Sequence, residues 1–384
     1  MRARHAYLFI LITGILLVLL RYIGTYIPVF GKEFHTKTIM PSPVKVTRFR
    51  SVSDSTSAPV PILIVSYMRS GSTFTSDVIA SYPSSYYIFE PLIYVIPKIK
   101  HKYPIQLING TTILPEADDE AAILSDILFY WLTCQYGGLD LEYVLTISTT
   151  HSTTRFKMCL ETKQNNTEPA LQTCLKILQK QCESSTIRVI KTIRVRMKRT
   201  VQSLLERIPG LKVIHLFRDQ RPRLLSAERT PTMLFHSLQT TAKSECSNAL
   251  DDIVIHQELE RTYPGQLATI LYERLAENPP VVFNHIFNFL QLPFTRKSLE
   301  YIQYITSSAT EVQCNFCTKK KNSTKTAHAW RTKKSSDFEK IKMIQRECKE
   351  TQNALGYLPL NSITEMRNTS VKLRMATPFT ADAL

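Results

Sequence analysis

The chain has 384 residues, which is more than one small domain needs and enough for a single large α/β domain with a substantial core. No internal repeat is visible, so a repeat architecture is not expected. With 48 Lys and Arg against 32 Asp and Glu, the formal charge is +16, which indicates an anionic partner. Nucleic acid, acidic glycan, anionic lipid and a phosphorylated cofactor all satisfy that charge.

The N-terminus carries a basic flank and then an apolar run, Ala6 to Leu20, whose pattern continues past Arg21 to Phe30. The uninterrupted run is shorter than the roughly 20 residues of a membrane span, but Arg21 can snorkel to the interface. We expect a signal anchor over residues 6–30, with residues 1–5 in the cytosol and the rest of the chain in the lumen. A cleaved signal peptide is the alternative.

The residues after the anchor divide by composition. Residues 31–58 are rich in Lys, Thr, Ser and Pro and poor in large apolar groups, which is typical of a stem. The folded domain is expected over residues 59–360. Residues 361–384 are expected to form a loosely ordered tail.

Glycosylation sequons support a luminal body. Four of them lie after the anchor, at Asn109, Asn165, Asn322 and Asn368. Each is a weak signal alone, because the pattern also arises by chance. Together with the anchor they predict a single-pass membrane protein of type II topology with a luminal body.

The cysteines agree with that compartment. All eight follow the anchor, an even number where disulfides are permitted. Cys159, Cys174 and Cys182 can pair locally, although spacing does not fix the connectivity. Cys314 and Cys317 have the spacing of a redox motif or half a zinc site, but no second pair or His partner is suitably spaced. We therefore expect no metal.

A strand, a small-residue loop and a helix open the domain. Ile62 to Val65 is a short apolar, β-branched run of the kind buried in a parallel sheet, and Thr73 to Ile79 can wind into a helix. The loop between them, starting at Arg69, presents N–H groups, a Gly and hydroxyls at a helix N-terminus, where the dipole favours an anion. The pattern predicts a phosphate cradle.

The cradle is not that of a nucleoside triphosphatase. That version needs Gly-x-x-x-x-Gly-Lys-Ser/Thr, and here the first Gly and the Lys are missing while Arg69 precedes Ser-Gly-Ser-Thr. A nucleotide-dependent kinase is therefore the less favoured alternative.

Two later strands deliver charged groups to the same edge. An aromatic strand starting at Ser85 ends in Glu90, and Pro91 forces a turn. Because ligands lie beyond the carboxyl ends of strands in open α/β sheets, Glu90 is expected beside the cradle; a salt-bridged structural Glu is the alternative. The strand from Leu211 ends in Arg218, which with Ser226 makes a fork for a second phosphate. A structural Arg–Asp ion pair is the competing interpretation.

Two segments are strongly basic. Six of the twelve residues from Arg188 to Arg199 are Lys or Arg, with Lys191 near a strand end and Arg194 just beyond it. Residues 319–334 carry seven Lys or Arg plus Trp330, and are expected to form a loop. Each segment is either a solvated face or a bed for an acidic acceptor.

The chain resembles the Golgi carbohydrate sulfotransferases over Pro61 to Tyr357, as a divergent member of the group that sulfates the 6-hydroxyl of N-acetylglucosamine, galactose or N-acetylgalactosamine. Four pieces carry the resemblance: Arg69–Phe74, Phe89–Leu92, Lys212–Ser226, and Ala329-Trp-Arg331 followed by Cys348 and Leu355-Gly-Tyr357. That group also has a Lys-x-x-Arg element, which here falls on Lys191 and Arg194. The resemblance implies a P-loop-like sulfotransferase fold, a central parallel sheet flanked by helices.

The donor implied by the resemblance is 3′-phosphoadenosine 5′-phosphosulfate, with no metal. Its 5′-phosphosulfate would be held by seven loop residues: Met68, Arg69, Ser70, Gly71, Ser72, Thr73 and Phe74. Its 3′-phosphate side would consist of nine consecutive residues: Arg218, Asp219, Gln220, Arg221, Pro222, Arg223, Leu224, Leu225 and Ser226. Arg218 and Ser226 would be the direct contacts.

The catalytic residues implied are Glu90 as general base and Arg69 as the group that stabilises the leaving oxygen. The partners expected are a glycan or glycosaminoglycan acceptor, anionic if the basic segments recruit it, and the membrane through the anchor; nucleic acid is not expected. A non-catalytic glycan-binding protein on the same fold is the alternative from another class. Intact Arg69, Glu90, Arg218 and Ser226 argue against it.

Overall fold

The computed structural model describes residues 58–384, apart from 117, 164–167, 231–235 and 309–317. The anchor over 6–30, the tail before it and the stem up to residue 57 lie outside the described residues, as do Asn165, Cys314 and Cys317. In the described part of the chain, no helix is both long and apolar enough to cross a membrane.

Strands and helices alternate along most of the domain. The strands are β1 Val60–Ser66, β2 Ser85–Phe89, β3 Ile105–Gln106, β4 Thr112–Ile113, β5 Ile187–Thr192, β6 Lys212–Phe217 and β7 Leu267–Leu271. The helices of the first half are α1 Ser72–Ala80, α2 Val95–His101, α3 Glu120–Leu132, α4 Leu141–Thr146, α5 Thr154–Thr162, α6 Glu168–Glu183 and α7 Gln202–Arg207. Those of the second half are α8 Gln220–Ala227, α9 Leu238–Thr262, α10 Tyr272–Glu277, α11 Pro279–Phe289, α12 Arg296–Thr306, α13 Ser323–His328, α14 Ser335–Glu347, α15 Lys349–Leu355 and α16 Ile363–Arg367.

Five strands form one parallel sheet in the order β2-β5-β1-β6-β7. Its central strand, β1, is fully buried over Ile62 to Ile64, which explains the continuous apolar run there. Because all five strands are parallel, their carboxyl ends meet at one edge. The register pairs Val65 with Thr192 and Phe89 with Lys191 at that edge. The expected α/β fold with a central parallel sheet is confirmed.

Helix boundaries follow local chemistry in several places. Asp219 caps α8 and Ser237 caps α9, each side chain accepting a backbone N–H of the first turn. Proline opens α11, where its missing N–H costs nothing. Gly356, with φ 78°, ends α15 in the left-handed region, as the sequence predicted.

Three disulfides tie the helices together: Cys134–Cys182, Cys159–Cys174 and Cys246–Cys348. Of the three cysteines expected to pair locally, Cys159 and Cys174 join α5 to α6, whereas Cys182 reaches back to the end of α3. The longest link, Cys246–Cys348, spans 102 residues and fixes α9 to the junction of α14 and α15.

The structure differs from the expectations in three segments. Residues 319–334, expected to be a loop, contain α13 and a 3₁₀ turn over Ala329–Thr332. Residues 341–355, whose apolar spacing predicts one helix that stops at Gly356, belong to two helices that meet at Cys348. Residues 361–384, expected to be loosely ordered, pack on the domain: Met366 is fully buried, and the Leu384 N–H donates to the Thr269 carbonyl on β7 (2.9 Å).

Candidate active site at the carboxyl edge of the sheet

The loop between β1 and α1 is shaped for an anion. Gly71, at φ 86°, takes the left-handed conformation just before α1, and Arg69 is also left-handed at φ 67°. The first N–H groups of a helix have no partner inside the helix, so those at the start of α1 point out of the loop with the positive end of the dipole. A non-Gly residue held at positive φ, as Arg69 is, is often found at functional sites.

Tyr272, the first residue of α10, closes the back of the loop. A Cβ built on Gly71 would lie 2.3 Å from Tyr272 Cδ2, so only glycine fits against this ring. The Arg218 guanidinium lies over the same ring, 4.5 Å from its centroid. Tyr272 therefore joins the loop to the end of β6.

Arg69, Arg218 and Ser226 come together, which links the two predicted phosphate sites. Arg69 Nε donates to Ser226 Oγ (2.9 Å), and Arg218 Nη1 donates to the Arg69 carbonyl oxygen (2.9 Å). Burial, and then repulsion from Arg218, lowers the pKa of Arg69. An anion held between these two cations would relieve that repulsion.

Two buried donors of this cluster are not hydrogen-bonded to the described part of the protein. Within the described residues, Ser70 Oγ and Arg218 Nε are buried without a hydrogen-bond partner. Buried polar groups are almost always satisfied in native proteins, so such orphans indicate a missing partner. The loop and the end of β6 thus fit a ligand with two phosphate-like groups.

The rest of the Arg218–Ser226 segment faces protein. Asp219 pairs with the fully buried Arg221 (2.7 Å), whose guanidinium also donates to Gln345 and to the Leu358 carbonyl. The Arg–Asp ion pair considered for Arg218 therefore belongs to Arg221. The remaining members are also enclosed by the domain: Gln220, Pro222, Arg223, Leu224 and Leu225 are all buried.

Arg223 and its neighbours support the loop from behind. Arg223 Nη1 donates to Glu245 (3.1 Å) and, at 3.5 Å, to the Met68 carbonyl. Leu224 and Leu225 belong to a hydrophobic cluster under α14. Among the other loop residues, Ser72 is buried and Phe74 packs edge-on against Phe283.

Glu90 lies at the same edge of the sheet, in an ion-paired cluster. It is left-handed at φ 52° and only 4% exposed. Lys191 Nζ contacts one carboxylate oxygen, and Arg194 Nη1 contacts the other. Burial lowers the pKa of Lys191, although the attraction of Glu90 opposes the shift. Lys191 and Arg194, the predicted Lys-x-x-Arg element, thus both pair with Glu90. Glu90 lies at the expected edge of the sheet and is also salt-bridged, so the two alternatives considered for it occur together.

Asp77, on the second turn of α1, is a further acidic group near this cluster. Its Oδ2 accepts from the Thr318 hydroxyl (3.0 Å). Burial raises the pKa of Asp77 to about 7, while the Thr318 hydrogen bond and Lys191 act in the opposite direction. The carboxyl is therefore partly protonated near neutral pH.

A buried polar network anchors the residue before the loop. The Tyr67 hydroxyl donates to Asp252 Oδ2 (2.9 Å) and lies 3.2 Å from His215 Nε2. Asp252, on α9, also accepts from Arg196 Nε (2.9 Å). Burial lowers the pKa of His215 well below its usual range and that of His256 to about 4, so both rings are neutral at neutral pH. The network holds the end of β1 through uncharged rings and one ion pair.

Sequence reasoning missed Tyr272, Tyr67 and Asp252. The one signal for Tyr272 is its place directly after β7, since strand ends line this edge. The sequence from Gln266 to Leu275 instead predicts one strand that continues past Tyr272. The bed expected from Arg188 to Arg199 is largely engaged inside the domain. Arg188 donates to the Leu132 carbonyl (2.9 Å), while Lys191, Arg194 and Arg196 pair with carboxylates.

Metal ligands do not gather here. In the part of the chain that the structure describes, no three His, Cys, Asp or Glu side chains are grouped as a metal site requires. The polar groups that converge are instead guanidinium, hydroxyl and N–H donors.

The comparisons with known proteins agree with one another. Carbohydrate sulfotransferase 4 of Mus musculus is 23% identical over 385 residues, covering 92% of this chain and 94% of that protein. Carbohydrate sulfotransferase 1 of Homo sapiens is 26% identical over 356 residues, covering 81% and 82%. Among solved structures, the sulfotransferase domain of the Synechococcus PCC 7002 olefin synthase is similar at a TM-score of 0.43 and 16% identity, covering 81% of this chain and 100% of that one.

The match to a family is more direct. The family model described as the sulfotransferase domain matches residues 59–351, which include the loop after β1, Glu90, Lys191 and the Arg218–Ser226 segment. That range is well over half of the chain. The protein therefore belongs to the sulfotransferase domain family.

Proposed function

We propose that this protein is a carbohydrate sulfotransferase that moves a sulfuryl group from 3′-phosphoadenosine 5′-phosphosulfate to the 6-hydroxyl of N-acetylglucosamine, galactose or N-acetylgalactosamine in a glycan or glycosaminoglycan. The observation that carries the proposal is the Arg69–Ser226–Arg218 cluster, which joins two anion sites on one sheet edge with Glu90. The two relatives named carbohydrate sulfotransferases support the acceptor class.

The residues fit the donor at both of its phosphate ends. The N–H groups of Gly71 to Thr73 and the Ser70 hydroxyl would hold the 5′-phosphosulfate, and Arg218 with Ser226 would hold the 3′-phosphate. When bound, the donor supplies a sulfuryl group on a phosphate leaving group. Arg69 and the loop N–H groups then stabilise negative charge on the leaving oxygen.

Glu90 would accept the proton of the acceptor hydroxyl. Both of its oxygens are engaged by cations, so one contact must be exchanged for the hydroxyl. The Arg194 side chain is 23% exposed and the Lys191 side chain 5%, so Arg194 is the partner with room to move away. Lys191 would stay and keep the carboxylate oriented.

Transfer of radiolabelled sulfate from the nucleotide donor to a panel of neutral and sulfated glycans tests the proposal. We expect the wild type to label one hydroxyl position, and Glu90→Gln to lose at least about 100-fold in turnover, as removal of a general base does. Glu142→Gln, which alters an ion-paired carboxylate on α4, serves as the matched control. A wild type that binds glycan but labels none of the panel would make it a non-catalytic binding protein.

A loss of turnover in Glu90→Gln must be distinguished from a loss of folding, because the substitution leaves Lys191 and Arg194 without their carboxylate. The double variant Glu90→Gln/Lys191→Met removes the buried charge on both sides. Both variants should still bind 3′,5′-diphosphoadenosine, the desulfated donor. A Glu90→Gln enzyme of near-normal rate would remove Glu90 from the base role.

We also propose that the protein is a type II Golgi membrane glycoprotein with a luminal domain. The apolar N-terminal run, the sequons and the three disulfides support this. Asn109, Asn322 and Asn368 are all exposed. Protease protection of sealed Golgi vesicles tests the orientation: a domain digested without detergent would contradict it.

A further inference from the structure

A second cavity has walls that share no residue with the phosphate loop or the Glu90 cluster. Its volume is about 800 Å³, it is open to solvent on one side, and it is bounded by α10, α13, the 3₁₀ turn after α13 and residues 367–376. No residue of the phosphate loop, of the Arg218–Ser226 segment or of the Glu90 cluster lines it. Its lining carries six cationic side chains, Arg274, Lys325, Arg331, Arg367, Lys372 and Arg374. The single carboxylate in the lining is Glu277.

The Glu277 carboxylate is already hydrogen-bonded to two of its neighbours. His328 Nε2 lies 2.8 Å from one carboxylate oxygen, and both terminal nitrogens of Arg374 donate to the group. Burial opposes ionisation, but the hydrogen bonds from His328 and Arg374 outweigh it and hold the pKa of Glu277 at about 2. The carboxylate therefore neutralises Arg374 and leaves the other cations uncompensated.

Two more of these cations are anchored without being neutralised. Arg331 is buried and its Nε donates to the Met366 carbonyl (2.8 Å), while Arg274 Nη1 donates to the Ala383 carbonyl (2.7 Å). A carbonyl oxygen carries no net charge, so both guanidinium groups keep theirs. These two residues hold positive charge at fixed positions in the wall.

The excess of positive charge in the lining also includes Lys325, Arg367 and Lys372. All three are exposed, and none makes an ion pair within the described residues. Concentrated charge of one sign in a concave site raises the local concentration of the opposite ion. The cavity therefore selects for a ligand with several negative charges.

The shape and lining narrow the class of ligand. The volume falls within the range of about 300–1,000 Å³ typical of small-molecule sites, and a concave site does not match a flat bilayer. No Phe, Tyr or Trp lines the cavity, so a nucleotide base has no aromatic ring to stack on. A small ligand recognised through anionic substituents therefore fits this cavity better than a membrane surface or a nucleotide.

We propose that this cavity is a binding site for an acidic saccharide, a sulfated or carboxylated unit of the acceptor glycan remote from the hydroxyl that is modified. The inference rests on the proposed function for the identity of the chain that carries the unit. Of the two basic segments expected to bind an acidic acceptor, residues 188–199 do not line this cavity. The segment 319–334 contributes Lys325, His328, Arg331 and their immediate neighbours to its walls.

Direct binding tests the site without needing turnover. A fluorescent heparin-derived octasaccharide and its chemically desulfated form are titrated into the wild type and into Lys325→Glu/Lys372→Glu. We expect the wild type to prefer the sulfated form, and the double variant to bind it at least about 10-fold more weakly, with a shallower salt dependence. Lys176→Glu/Lys180→Glu on α6 makes the same change in net charge at exposed positions and should leave binding within about twofold.

Three outcomes would overturn the inference. Equal losses in the cavity variant and the α6 variant would mean that only net charge matters. Weaker binding of 3′,5′-diphosphoadenosine with unchanged octasaccharide binding would assign the cavity to the nucleotide. A loss confined to anionic phospholipid vesicles would assign it to a membrane surface.

Turnover separates this inference from the proposed function. In Lys325→Glu/Lys372→Glu, we expect kcat/KM for a short neutral acceptor to be unchanged, and KM for a sulfated polymer acceptor to rise about 10-fold. A wild type that binds the octasaccharide through the cavity but transfers no sulfate would support the site and refute the enzyme. Normal sulfate transfer with an unchanged KM in the variant would support the enzyme and refute the cavity as a saccharide site.

Discussion

The two halves of the sheet edge differ in whether their charged groups are paired within the protein. On the β1–β6 side, Arg69 and Arg218 are held so close that their repulsion contributes to the lowered pKa of Arg69, and buried donors lack a protein partner. On the β2–β5 side, Glu90 is matched by Lys191 and Arg194. Under the proposed function, an anion from the donor would complete the first half. The Glu90 carboxylate of the second half already has both of its oxygens paired, and would have to exchange a partner to accept a proton. Changes on the second half should therefore be felt in stability, and changes on the first in binding.

The largest effect on stability is expected from Lys191→Met. Removing one partner of a buried ion pair typically costs about 3–5 kcal/mol, and we expect about 3 kcal/mol because Arg194 remains. Urea unfolding measures the change. Lys340→Met, which breaks a half-exposed pair with Glu228, should cost under about 1 kcal/mol. Similar losses in the two variants would remove the distinction between the Glu90 cluster and surface ion pairs.

Arg218→Ala is the matching change on the first half. We expect binding of 3′,5′-diphosphoadenosine to weaken about 100-fold, which is about 2.7 kcal/mol, because a charged donor to phosphate is lost. Isothermal titration calorimetry measures it. The free energy of unfolding should change by less than about 1 kcal/mol, since repulsion with Arg69 is relieved as one hydrogen bond is lost.

Arg221→Ala is the counterpart of that variant within the same segment. Arg221 is fully buried and paired with Asp219, so its loss should destabilise the fold by about 3 kcal/mol. If Arg218→Ala unfolded as readily as Arg221→Ala while still binding the nucleotide, the assignment of the two arginines would have to be exchanged.

Gly71→Ala tests the contact between the loop and Tyr272. The new methyl group would lie 2.3 Å from the ring at a backbone φ of +86°, so the loop or the ring must shift, at a cost of about 2 kcal/mol. Thermal unfolding and nucleotide titration measure the two consequences. Gly210→Ala has a similar φ of +73° but nothing within 4 Å, and should cost only about 1 kcal/mol and leave binding unchanged.

The smallest effect is expected from Asp77→Asn, and it should depend on pH. The folded protein raises the pKa of Asp77 from 3.8 to about 7, so the folded state binds more protons than the unfolded state between those values. The stability this group contributes is complete below about pH 4 and is lost as the pH rises to about 7. Asp77→Asn should be more stable than the wild type by about 1 kcal/mol at pH 7.5, allowing for partial solvent access, and equal to it at pH 4. A difference independent of pH would show that the Thr318 hydrogen bond and Lys191 keep the carboxylate charged.

The sheet and its loop were predictable because their constraints are local. A strand buried on both faces must be continuously apolar, and a left-handed position before a helix favours Gly, so β1, β6 and Gly71 were visible in the sequence. The position of Arg218 directly after a strand, and so at the edge of the sheet, was also predictable. The resemblance already implied Arg218 as the direct contact. The engagement of Arg221 and Arg223 by the protein was not visible, because their partners Gln345 and Glu245 are distant in sequence.

The packing of residues 361–384 was not predictable for a related reason. Its contacts come from isolated residues such as Met366, Leu373 and Arg374, which show no period and find their partners only in the folded domain. The break at Cys348 likewise has no local signal, because the bond to Cys246 fixes it from another helix.

The Cys246–Cys348 link has a practical consequence for making this protein. The ring it closes contains β7, Tyr272 and α13, and therefore one wall of the candidate active site and about half of the wall of the second cavity. Closing a ring of about 100 residues is worth up to roughly 4.7 kcal/mol in the chain-entropy description. Material produced in a reducing cytoplasm would lack this constraint. The nucleotide and saccharide affinities proposed above should therefore be measured on protein from a secretory host.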